Sequence, residues 1–383
     1  MAPFTIRWGI ISTGGISTKF VHDLLVDPSS REVSDVAHKI SAVGSRSVES
    51  AQKFVDKFKA TPENESAAWG VKNGVLEGVK AVGTYQEVYN DPDVDVIYVG
   101  TPHTLHHRNT KDALLAGKHV LCEKPFTLES AELEELIAIA KDKNLFLMEA
   151  VWTRYHPLAY AVEEVLKSGK LGKPKRFSAD FSMDFPLDDK PTSHRMLDPA
   201  LGGGSLLDMG PYPSVWAMLL VHRNPHNKDT DPKVLTSHQT VYEKTDVDIN
   251  SRWLVEWKGT CQGQLMTDLG SAGFQEATAV LQCEEGDLVI EYPPYRSEAY
   301  QIHPRPERDI GAIKEKSRHH HPIAEGNNGM SYEADEVARC IRDKKTQSDR
   351  MPWEESKITQ GWLDVVRTAG PTATAHLKGT AGQ

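Results

Sequence analysis

The chain of 383 residues is long enough for two domains of ordinary size. Its formal net charge of −10 gives it no overall attraction to nucleic acid or to an anionic membrane, which argues against both as partners. The four cysteines are scattered without a CxxC pair, and no apolar run has the length of a membrane span or the position of a signal core. We therefore expect a cytoplasmic protein without a disulfide framework.

Strand-like and helix-like segments alternate over residues 1–150. In chain order the pattern predicts a strand at 4–10, a helix at 16–25, a strand at 38–45, a helix at 51–58, an irregular loop at 60–80, a strand at 94–100, a helix at 106–116, a strand at 118–124, a helix at 130–142 and a strand at 145–150. Continuous apolar strands of this kind are typical of a parallel sheet buried on both faces. The alternation predicts an α/β, doubly wound, dinucleotide-binding domain over residues 1–150.

After residue 150 the alternation gives way to successive strands. The predicted elements are a helix at 157–168, a strand at 174–184, a helix from about 204, several strands within 233–303 with a turn at 285–287, a mobile loop at 308–329 that includes His319–His321, and helices at 330–343 and 353–367. Successive strands joined by short turns indicate antiparallel pairing. We predict an α+β domain over residues 151–383 with an open, mainly antiparallel sheet.

The turn in "WGIISTGGIS" (residues 8–17) joins the first strand to the first helix. In dinucleotide-binding folds this turn holds the pyrophosphate, because free N–H groups and the positive end of the helix dipole face it. Gly14 occupies the second position of the usual glycine fingerprint, while Ser12 and Ser17 occupy the first and third. The residues of this predicted cofactor site are Ser12, Thr13, Gly14, Gly15 and Ile16.

The end of the second strand indicates which nicotinamide cofactor is used. Enzymes that use NAD often have Asp or Glu there to bind the ribose 2′-hydroxyl. The segment "GSRS" (44–47) has Ser45 and Arg46 instead, and a guanidinium suits the 2′-phosphate of NADP. This favours NADP, with a surface arginine as the alternative interpretation.

"CEKP" (122–125) ends the predicted strand at 118–124. Ligand sites of open α/β sheets lie at the carboxyl ends of strands, so Lys124 is expected to face the crevice, with its direction fixed by Pro125. A lysine in that place lowers the pKa of a neighbouring hydroxyl through its charge. A solvated lysine at the end of a strand is the alternative.

A second group of candidates lies in "LGGGSLLDMGPYPSVW" (201–216). Three glycines open a predicted helix on which Asp208 and Tyr212, four residues apart, share one face. Pro211 and Pro213 are expected to kink this helix. A tyrosine with a nearby lysine and carboxylate is able to act as general acid–base between a hydroxyl and a carbonyl. Local pairing of Asp208 and core packing of Tyr212 are the alternatives.

The segments "GTPHTLHHRNTKDALLAGKHVLCEKPFTL", "LFLMEAVWTRYHP" and "GGGSLLDMGPYP" resemble the glucose–fructose oxidoreductase / inositol dehydrogenase (Gfo/Idh/MocA) family. Within it, "EAVWTRYHP" and "SHRMLDPALGGGSLLDMG" resemble the branch of dimeric dihydrodiol dehydrogenases and fungal NADP-dependent D-xylose dehydrogenases. The resemblance implies a Rossmann domain followed by an open antiparallel sheet. It also implies that Lys124 and Tyr212 are the catalytic pair, assisted by Asp208. Many relatives have histidine in place of Tyr212 and glycine in place of Ser12.

Further candidates follow the predicted strands or stand in nearby loops. The cofactor candidates are Thr101, Pro102, His103, His106 and Glu123, in addition to Lys124. The substrate candidates are Trp152, Arg154, His194 and Arg195, in addition to Tyr212. Packing of Trp152 and solvation of the loop around His194 are the alternatives. The run of histidines at 103–107 lacks the accompanying ligand set of a metal site, so we expect no metal.

The resemblance implies a dimer as well. An open sheet with one exposed apolar face needs a cover, and a second copy of that face is the simplest one. Trp253, Val255 and Trp257 alternate along one predicted strand, so we expect them on that face. The predicted partners are thus a small-molecule substrate and a second copy of the chain.

These residues predict an NADP-dependent oxidoreductase that oxidises a sugar hydroxyl by hydride transfer to nicotinamide. For an aldopyranose such as D-xylose, the reacting hydroxyl is at C1 and the product is the lactone. Oxidation of a trans-dihydrodiol or reduction of a dicarbonyl sugar would use the same site. A non-catalytic NADPH-binding sensor is an alternative of another class, and a metal-dependent hydrolase is a more distant one.

Overall fold

A computed structural model describes residues 2–59, 75–305 and 315–371. Contacts divide the chain into two compact units, one of residues 1–152 and 323–356, the other of residues 153–322 and 357–383. The chain first passes from one unit to the other after Trp152, close to the boundary that we predicted after residue 150. The segment 323–356, which we expected in the second domain, packs with the first unit instead.

The elements, in chain order, are the strands β1 Phe4–Ile11, β2 Val36–Gly44, β3 Lys80–Val82, β4 Val96–Val99, β5 His119–Glu123, β6 Leu147–Ala150, β7 Pro174–Ser182, β8 Lys233–Val241, β9 Asp248–Trp257, β10 Cys261–Asp268, β11 Ala279–Cys283, β12 Gly286–Ile290, β13 Ala299–Pro304 and β14 Ser317–His320. The helices are α1 Gly15–Leu25, α2 Val48–Lys59, α3 Tyr85–Tyr89, α4 His106–Leu115, α5 Ser130–Asp142, α6 Pro157–Lys167, α7 Ser205–Met209, α8 Pro211–Ala217, α9 Ser331–Arg342 and α10 Trp353–Ala369. Short 3₁₀ turns lie at Pro28–Arg31, His103–Leu105, Trp152–Tyr155, Leu187–Asp189 and Pro199–Leu201, and a π-helical turn lies at Met218–His222. None of the helices in the described ranges is long and apolar enough to cross a membrane.

The first unit is built on a six-stranded sheet in the order β3-β2-β1-β4-β5-β6, in which neighbouring strands are parallel. This order and direction confirm the predicted doubly wound fold. Apolar residues fill both faces of the central strands: Val99 and Cys122 pack with Leu136 of α5 on one face. On the other face the ring of Tyr98 stacks on Phe20 of α1 at 3.8 Å. The carboxyl ends of β1, β4 and β5 therefore share one edge of the sheet.

A buried polar network ties α9 to β1 and β2. The Arg31 guanidinium donates to both carboxylate oxygens of Asp335, at 2.6 and 2.7 Å. Asp335 also lies 2.9 Å from Nε2 of His38, whose Nδ1 accepts a hydrogen bond from the Trp8 indole at 3.1 Å. Because Nδ1 is an acceptor, the His38 proton is on Nε2 and points to Asp335. The network explains why a helix from the far end of the chain belongs to the first unit.

The segment before α9 is fixed to α1 by one carboxylate. Asp23 is fully buried and accepts hydrogen bonds from the backbone N–H groups of Asn328, Gly329 and Met330, at 2.7–2.9 Å. Helix α1, which begins at the predicted cofactor turn, is thereby linked to the start of α9.

The second unit contains an eight-stranded sheet in the order β14-β13-β12-β11-β7-β10-β9-β8. Neighbouring strands are antiparallel except β7 and β10, which pair in parallel. The predicted mainly antiparallel sheet is confirmed.

The expectation that Trp253, Val255 and Trp257 lie on an exposed sheet face is wrong. All three are at most 2 % exposed. The ring of Trp257 packs edge-on against Trp362 of α10, with 5.6 Å between centroids, so the C-terminal helix covers this face. The intervening positions, such as Arg252, carry the opposite face.

Three local predictions need correction or fall outside the described residues. The turn between β11 and β12 is formed by 284–285, so Gly286 already belongs to β12. Residues Ser317–His320 form strand β14 paired with β13, and not part of a loop, because they supply a ladder partner for Ala299–Ile302. Residues 60–74 and 306–314 lie outside the described ranges, and the loop predictions there stay predictions.

Candidate active site

The first position of the glycine fingerprint keeps a glycine conformation although it is a serine. Ser12 has φ of 81°, in the left-handed region that favours glycine. Its backbone N–H donates to the carbonyl of Gly44 at 3.1 Å, which ties the turn to the end of β2. The backbone geometry that the glycine pattern encodes is therefore present, at a cost of about 1–2 kcal/mol for the side chain.

The next two residues leave the start of α1 open. Gly14 is the N-cap residue, Gly15 is the first helical residue, and both are exposed. A Cβ built on Gly15 would meet no atom within 4 Å. The first N–H groups of α1 have no acceptor within the helix, and the helix dipole adds partial positive charge there. These residues fit a dinucleotide pyrophosphate, which would lie against bare backbone.

The serine at the third fingerprint position is accommodated by a glycine that directly follows the neighbouring strand β4. Ser17 is fully buried in the first turn of α1. A Cβ built on Gly100, directly after β4, would clash with the Ser17 hydroxyl and would lie 2.8 Å from the ring of Tyr98. Glycine after β4 therefore gives the room that a third glycine in the helix would give. Sequence reasoning missed Gly100, and its only signal was a glycine at the end of an apolar strand.

Ser45 and Arg46 follow β2 where the structure brings β1 and β2 together. Ser45 is buried, and its hydroxyl oxygen lies 3.3 Å from that of Thr13. Arg46 is exposed and close enough to Tyr85 for its charge to act on that phenol. No carboxylate stands at 44–47. The arrangement fits a 2′-phosphate beside the Arg46 guanidinium.

The residues after β4 are held by one histidine. His106 is fully buried, with Nδ1 2.7 Å from the carbonyl oxygen of Pro125 and Nε2 2.9 Å from that of Thr101. Burial lowers the pKa of His106 and the charge of Lys124 adds to this, while the contacts with the two carbonyl oxygens oppose it. The ring lies against both carbonyl oxygens. It thus bridges the loops after β4 and β5, and it holds their backbone instead of facing a ligand. Its ring also contacts that of His103, at 5.7 Å.

The other cofactor candidates differ in exposure. The Thr101 hydroxyl accepts a hydrogen bond from Asn109 at 3.1 Å and is buried, whereas Pro102 is exposed. The Glu123 carboxylate is 5 % exposed and accepts a hydrogen bond from the Tyr98 hydroxyl at 2.6 Å. Lys124 directly follows β5 and is half-buried.

In the second unit, Asp208 and Tyr212 lie on two consecutive short helices and not on one. Helix α7 ends at Met209 and α8 begins with Pro211, so Gly210 separates them. Proline at the first position of α8 gives up no helical hydrogen bond, because that N–H is unpaired in any helix. A kinked single helix was predicted; the structure instead has two short helices that meet at Gly210.

Arg195 and Asp208 form an ion pair. The distance between Arg195 Nη1 and Asp208 Oδ1 is 2.8 Å, and the Arg195 side chain is 60 % exposed. Asp208 raises the pKa of Arg195, and Tyr212 adds to the effect, so the three side chains form one cluster. This pairing leaves the guanidinium accessible while it fixes the carboxylate.

Tyr212 belongs to a group of aromatic rings. It is 7 % exposed, with ring centroids 5.5 Å from Phe181 and 5.8 Å from Tyr295. The hydroxyl of Thr153 donates to the carbonyl of Tyr295 at 2.8 Å, which links this group to the chain just after Trp152. Sequence reasoning missed Phe181, near the end of β7, and Tyr295, in the turn between β12 and β13.

Asp248 is a further residue that the sequence did not single out. It is buried and accepts hydrogen bonds from the Ser205 hydroxyl at 2.6 Å and the Leu206 N–H at 2.7 Å. It fixes the start of α7, and Gly204 before it has φ of 115° and no room for a side chain beside Asp248. The triple glycine thus serves the close approach of two chain segments.

The remaining substrate candidates are mostly enclosed. Trp152 is 6 % exposed and Arg154 is fully buried. His194 accepts a hydrogen bond at Nδ1 from the N–H of Met196, 3.2 Å away, and its ring lies 5.3 Å from that of Phe185. Burial lowers the pKa of His194, and the charges of Arg195 and Lys190 act in the same direction.

The predicted residues thus fall into two groups. The first unit brings together the fingerprint turn, Ser45 and the loops after β4 and β5. The second unit brings together Arg195, Asp208 and Tyr212. Within the described ranges, no group of three or more His, Cys, Asp or Glu side chains is placed to hold a metal ion. His107 pairs instead with Glu135, at 2.7 Å.

Two family models match the chain. The model described as "Oxidoreductase family, NAD-binding Rossmann fold" matches residues 6–151, and the model described as "GFO/IDH/MocA C-terminal domain" matches residues 160–289. A D-xylose 1-dehydrogenase (NADP(+)) of Hypocrea jecorina is 34% identical, over 97% of this chain and 93% of that protein. A trans-1,2-dihydrobenzene-1,2-diol dehydrogenase of Homo sapiens is 30% identical, over 95% of this chain and 96% of that protein.

Solved structures share the fold. The 3-ketoreductase KijD10 of Actinomadura kijaniata, in complex with NADP and TDP-benzene, has a TM-score of 0.74 at 23% identity, and the match covers 96% of this chain and 98% of that one. A levoglucosan dehydrogenase in complex with NADH and levoglucosan has a TM-score of 0.77 at 18% identity, and the match covers 97% and 98% of the two chains. At these identities the likeness shows a common fold.

Proposed function

This chain belongs to the Gfo/Idh/MocA family of oxidoreductases, and on that premise we propose that it is an NADP-dependent dehydrogenase of sugar CH–OH groups. The proposed substrate is an aldopyranose such as D-xylose, oxidised at C1 to the lactone. The observation that carries the proposal is the open start of α1 at the same sheet edge as Lys124. Likeness to a D-xylose 1-dehydrogenase over nearly the whole of both chains supports the substrate class.

NADP would be held by residues of the first unit. We assign its pyrophosphate to Ser12, Thr13 and the bare backbone of Gly14, Gly15 and Ile16. Its 2′-phosphate is assigned to Ser45 and Arg46. Thr101, Pro102, His103, Glu123 and Lys124 are assigned to the nicotinamide half, because they lie at the ends of β4 and β5 or directly after them. His106 is assigned an indirect role, because its ring contacts the backbone carbonyl groups of Thr101 and Pro125 and holds these two loops.

The proposed reaction removes one proton and one hydride from the CH–OH group. Bound NADP supplies the hydride acceptor. Tyr212 takes the hydroxyl proton as general base, and the positive charge of Lys124 favours the ionised tyrosine that can do so. Asp208 holds Arg195 by their ion pair, and Arg195 is proposed to bind a sugar hydroxyl. Trp152, Arg154 and His194 are proposed as further substrate contacts.

Absorbance at 340 nm with purified protein tests this function. With NADP and a panel of aldoses, polyols and dihydrodiols, D-xylose or D-glucose should be oxidised faster than the other compounds. A dihydrodiol as the best substrate would favour the second candidate, for which the 30% identical dihydrodiol dehydrogenases are the support. NADPH binding without turnover of any alcohol, or of any dicarbonyl in the reverse direction, would instead indicate a sensor.

Replacement of Arg46 by alanine should change the choice of cofactor. The variant loses a charged hydrogen bond to the 2′-phosphate, so KM for NADP should rise about 10- to 100-fold while KM for NAD stays nearly constant. Initial rates at 340 nm with each cofactor measure this. Arg108→Ala, which removes an exposed arginine of α4, is the control and should change neither value. An equal loss with both cofactors would contradict the role of Arg46.

We also propose a homodimer joined through the eight-stranded sheet. The face opposite α10 carries Arg252, Leu254 and Val280, which are only partly buried or exposed in one chain. Light scattering should give twice the 42.6 kDa of one chain. Leu254→Glu should shift the mass to the monomer, whereas Leu115→Glu, at an exposed position of α4, should not. A monomeric parent protein at micromolar concentration would contradict the dimer.

A cytoplasmic location is proposed as well. All four cysteines are free thiols, and three of them are buried. Free thiols are kept in reducing compartments.

A further inference from the structure

Three buried side chains with ionisable oxygens lie on one face of the first unit's sheet. The Tyr98 ring is fully buried against Phe20, and its hydroxyl donates to Glu123 Oε1 at 2.6 Å. Glu333 of α9 is 0 % exposed, and neither of its carboxyl oxygens has a hydrogen-bond partner in the part of the chain that the structure describes. The dehydrogenase mechanism proposed above does not use Glu333.

A fully buried carboxyl group without a hydrogen-bond donor is costly to ionise. The charges of Glu123 of β5 and Asp23 of α1 act on Glu333, and Glu123, Glu333 and Cys122 act on Tyr98 of β4. No group in the part of the chain that the structure describes donates a hydrogen bond to Glu333. Burial, Glu123 and Asp23 together raise the pKa of Glu333 well above its usual range. Two carboxylates in such a place do not both ionise.

We infer that Glu123 and Glu333 form a buried carboxyl pair that carries one proton at neutral pH, held by Glu333, and that this pair positions Lys124. The two members are unequal because only Glu123 receives a hydrogen bond, from Tyr98, which stabilises its ionised form. Asp23 accepts hydrogen bonds from three backbone N–H groups, and its charge adds to the effect that opposes ionisation of Glu333.

The link to Lys124 is the peptide backbone. Glu123 is the last residue of β5, and Lys124 follows it directly. As long as Glu333 is neutral, the ionised Glu123 carboxylate keeps the hydrogen bond that the Tyr98 hydroxyl donates to it. An ionised Glu333 would repel Glu123 and move the end of β5. Glu333 is therefore a positioning residue, and this second half of the inference rests on the proposed function, in which Lys124 is catalytic.

Infrared spectroscopy of the full chain without cofactor tests the pair directly. A protonated carboxylic acid has a carbonyl stretch that carboxylates lack. We expect this band at pH 7 in the parent protein and its loss in Glu333→Gln, which keeps the size and the neutral charge. Glu134→Gln, which makes the same change at an exposed position of α5, is the control and should leave the band in place.

The coupling between the two carboxyl groups has its own test. In Glu123→Gln the neighbouring negative charge is gone, so the band of Glu333 should disappear at a lower pH than in the parent protein. A band that is absent from the parent protein, or that persists in Glu333→Gln, would overturn the pair. An unchanged titration midpoint in Glu123→Gln would overturn the shared proton.

The positioning role is read from kinetics. Tyr98→Phe removes the donor to Glu123 and should lower kcat about tenfold while KM for the sugar stays within about twofold. Tyr89→Phe, the same change at a buried tyrosine away from the carboxyl pair, should leave kcat unchanged. An unchanged kcat in Tyr98→Phe would overturn the positioning role. If no substrate were turned over, the proposed function would fail while the infrared result would still decide whether the pair exists.

Discussion

Tyr212→Phe is expected to lower kcat/KM for sugar oxidation about 10²- to 10⁴-fold, the range that a general acid–base group contributes. The substitution removes one hydroxyl and keeps the ring in its contacts with Phe181 and Tyr295. The fold and the affinity for NADPH should therefore remain. Initial rates at 340 nm and NADPH fluorescence titrations measure the two quantities separately.

The control for Tyr212→Phe is Tyr89→Phe. Tyr89 is 2 % exposed in the first unit, and its hydroxyl has no hydrogen-bond partner in the described part of the chain. The same chemical change should therefore leave kcat/KM unaltered. Near-normal turnover by Tyr212→Phe would show that this hydroxyl does not move the substrate proton.

Lys124→Ala distinguishes the two members of the proposed catalytic pair. If its charge makes Tyr212 a better base, the loss of the lysine should reduce kcat at neutral pH and partly restore it at high pH, where tyrosine ionises unaided. A control at a partly exposed lysine, Lys111→Ala, removes a surface pair with Glu135. A fall in kcat that is the same at every pH would contradict an electrostatic role for Lys124.

Sequence patterns over a few residues predicted the features that depend only on residues close together in the chain. The apolar runs that became β4 and β5 are buried on both faces, so their composition alone marks them as central strands. Lys124 could be placed at the sheet edge because it follows such a strand immediately. The glycine fingerprint predicted Gly14 in the turn between the first strand and the first helix, and Gly14 is the N-cap residue of α1.

Features that depend on distant parts of the chain could not be predicted in this way. The alternation of side chains along a strand showed that Trp253 and Trp257 lie on the same face of the sheet. It did not show that α10 covers this face, because the contact is made by Trp362, about a hundred residues later in the chain. The fit between Ser17 and Gly100 is likewise a contact between two elements. Glu333 looks in the sequence like a solvated residue of an amphipathic helix, and only the packing of α9 buries it.

The buried network that holds α9 in the first unit is expected to contribute strongly to the free energy of unfolding. Asp335→Ala should lower it by about 3–5 kcal/mol, because the substitution leaves a buried guanidinium without its partner. The Arg31 side chain is 1 % exposed and the Asp335 side chain 2 %, so water cannot replace the carboxylate. Urea denaturation of the parent and variant proteins under identical conditions measures the difference.

Acid should weaken the same network in the parent protein. Burial alone would raise the pKa of Asp335, but the hydrogen bonds from Arg31 and His38 outweigh it and lower the pKa. A carboxyl group with a lowered pKa in the folded state stabilises the protein fully above its unfolded pKa of about 4, and this contribution is lost as the pH falls further. The stability of Asp335→Ala should therefore depend less on pH below 4 than that of the parent.

An exposed ion pair on the same helix is the matched control for Asp335→Ala. Asp35 accepts hydrogen bonds from Arg339 and Arg342 of α9, but its side chain is 42 % exposed. Because water solvates the arginines when the carboxylate is removed, Asp35→Ala should cost about 1 kcal/mol or less. Equal losses in the two variants would mean that burial does not set the strength of the Asp335 network. A loss confined to Asp335→Ala would establish that a buried charge pair, and not surface charge, fastens α9 to the cofactor-binding unit.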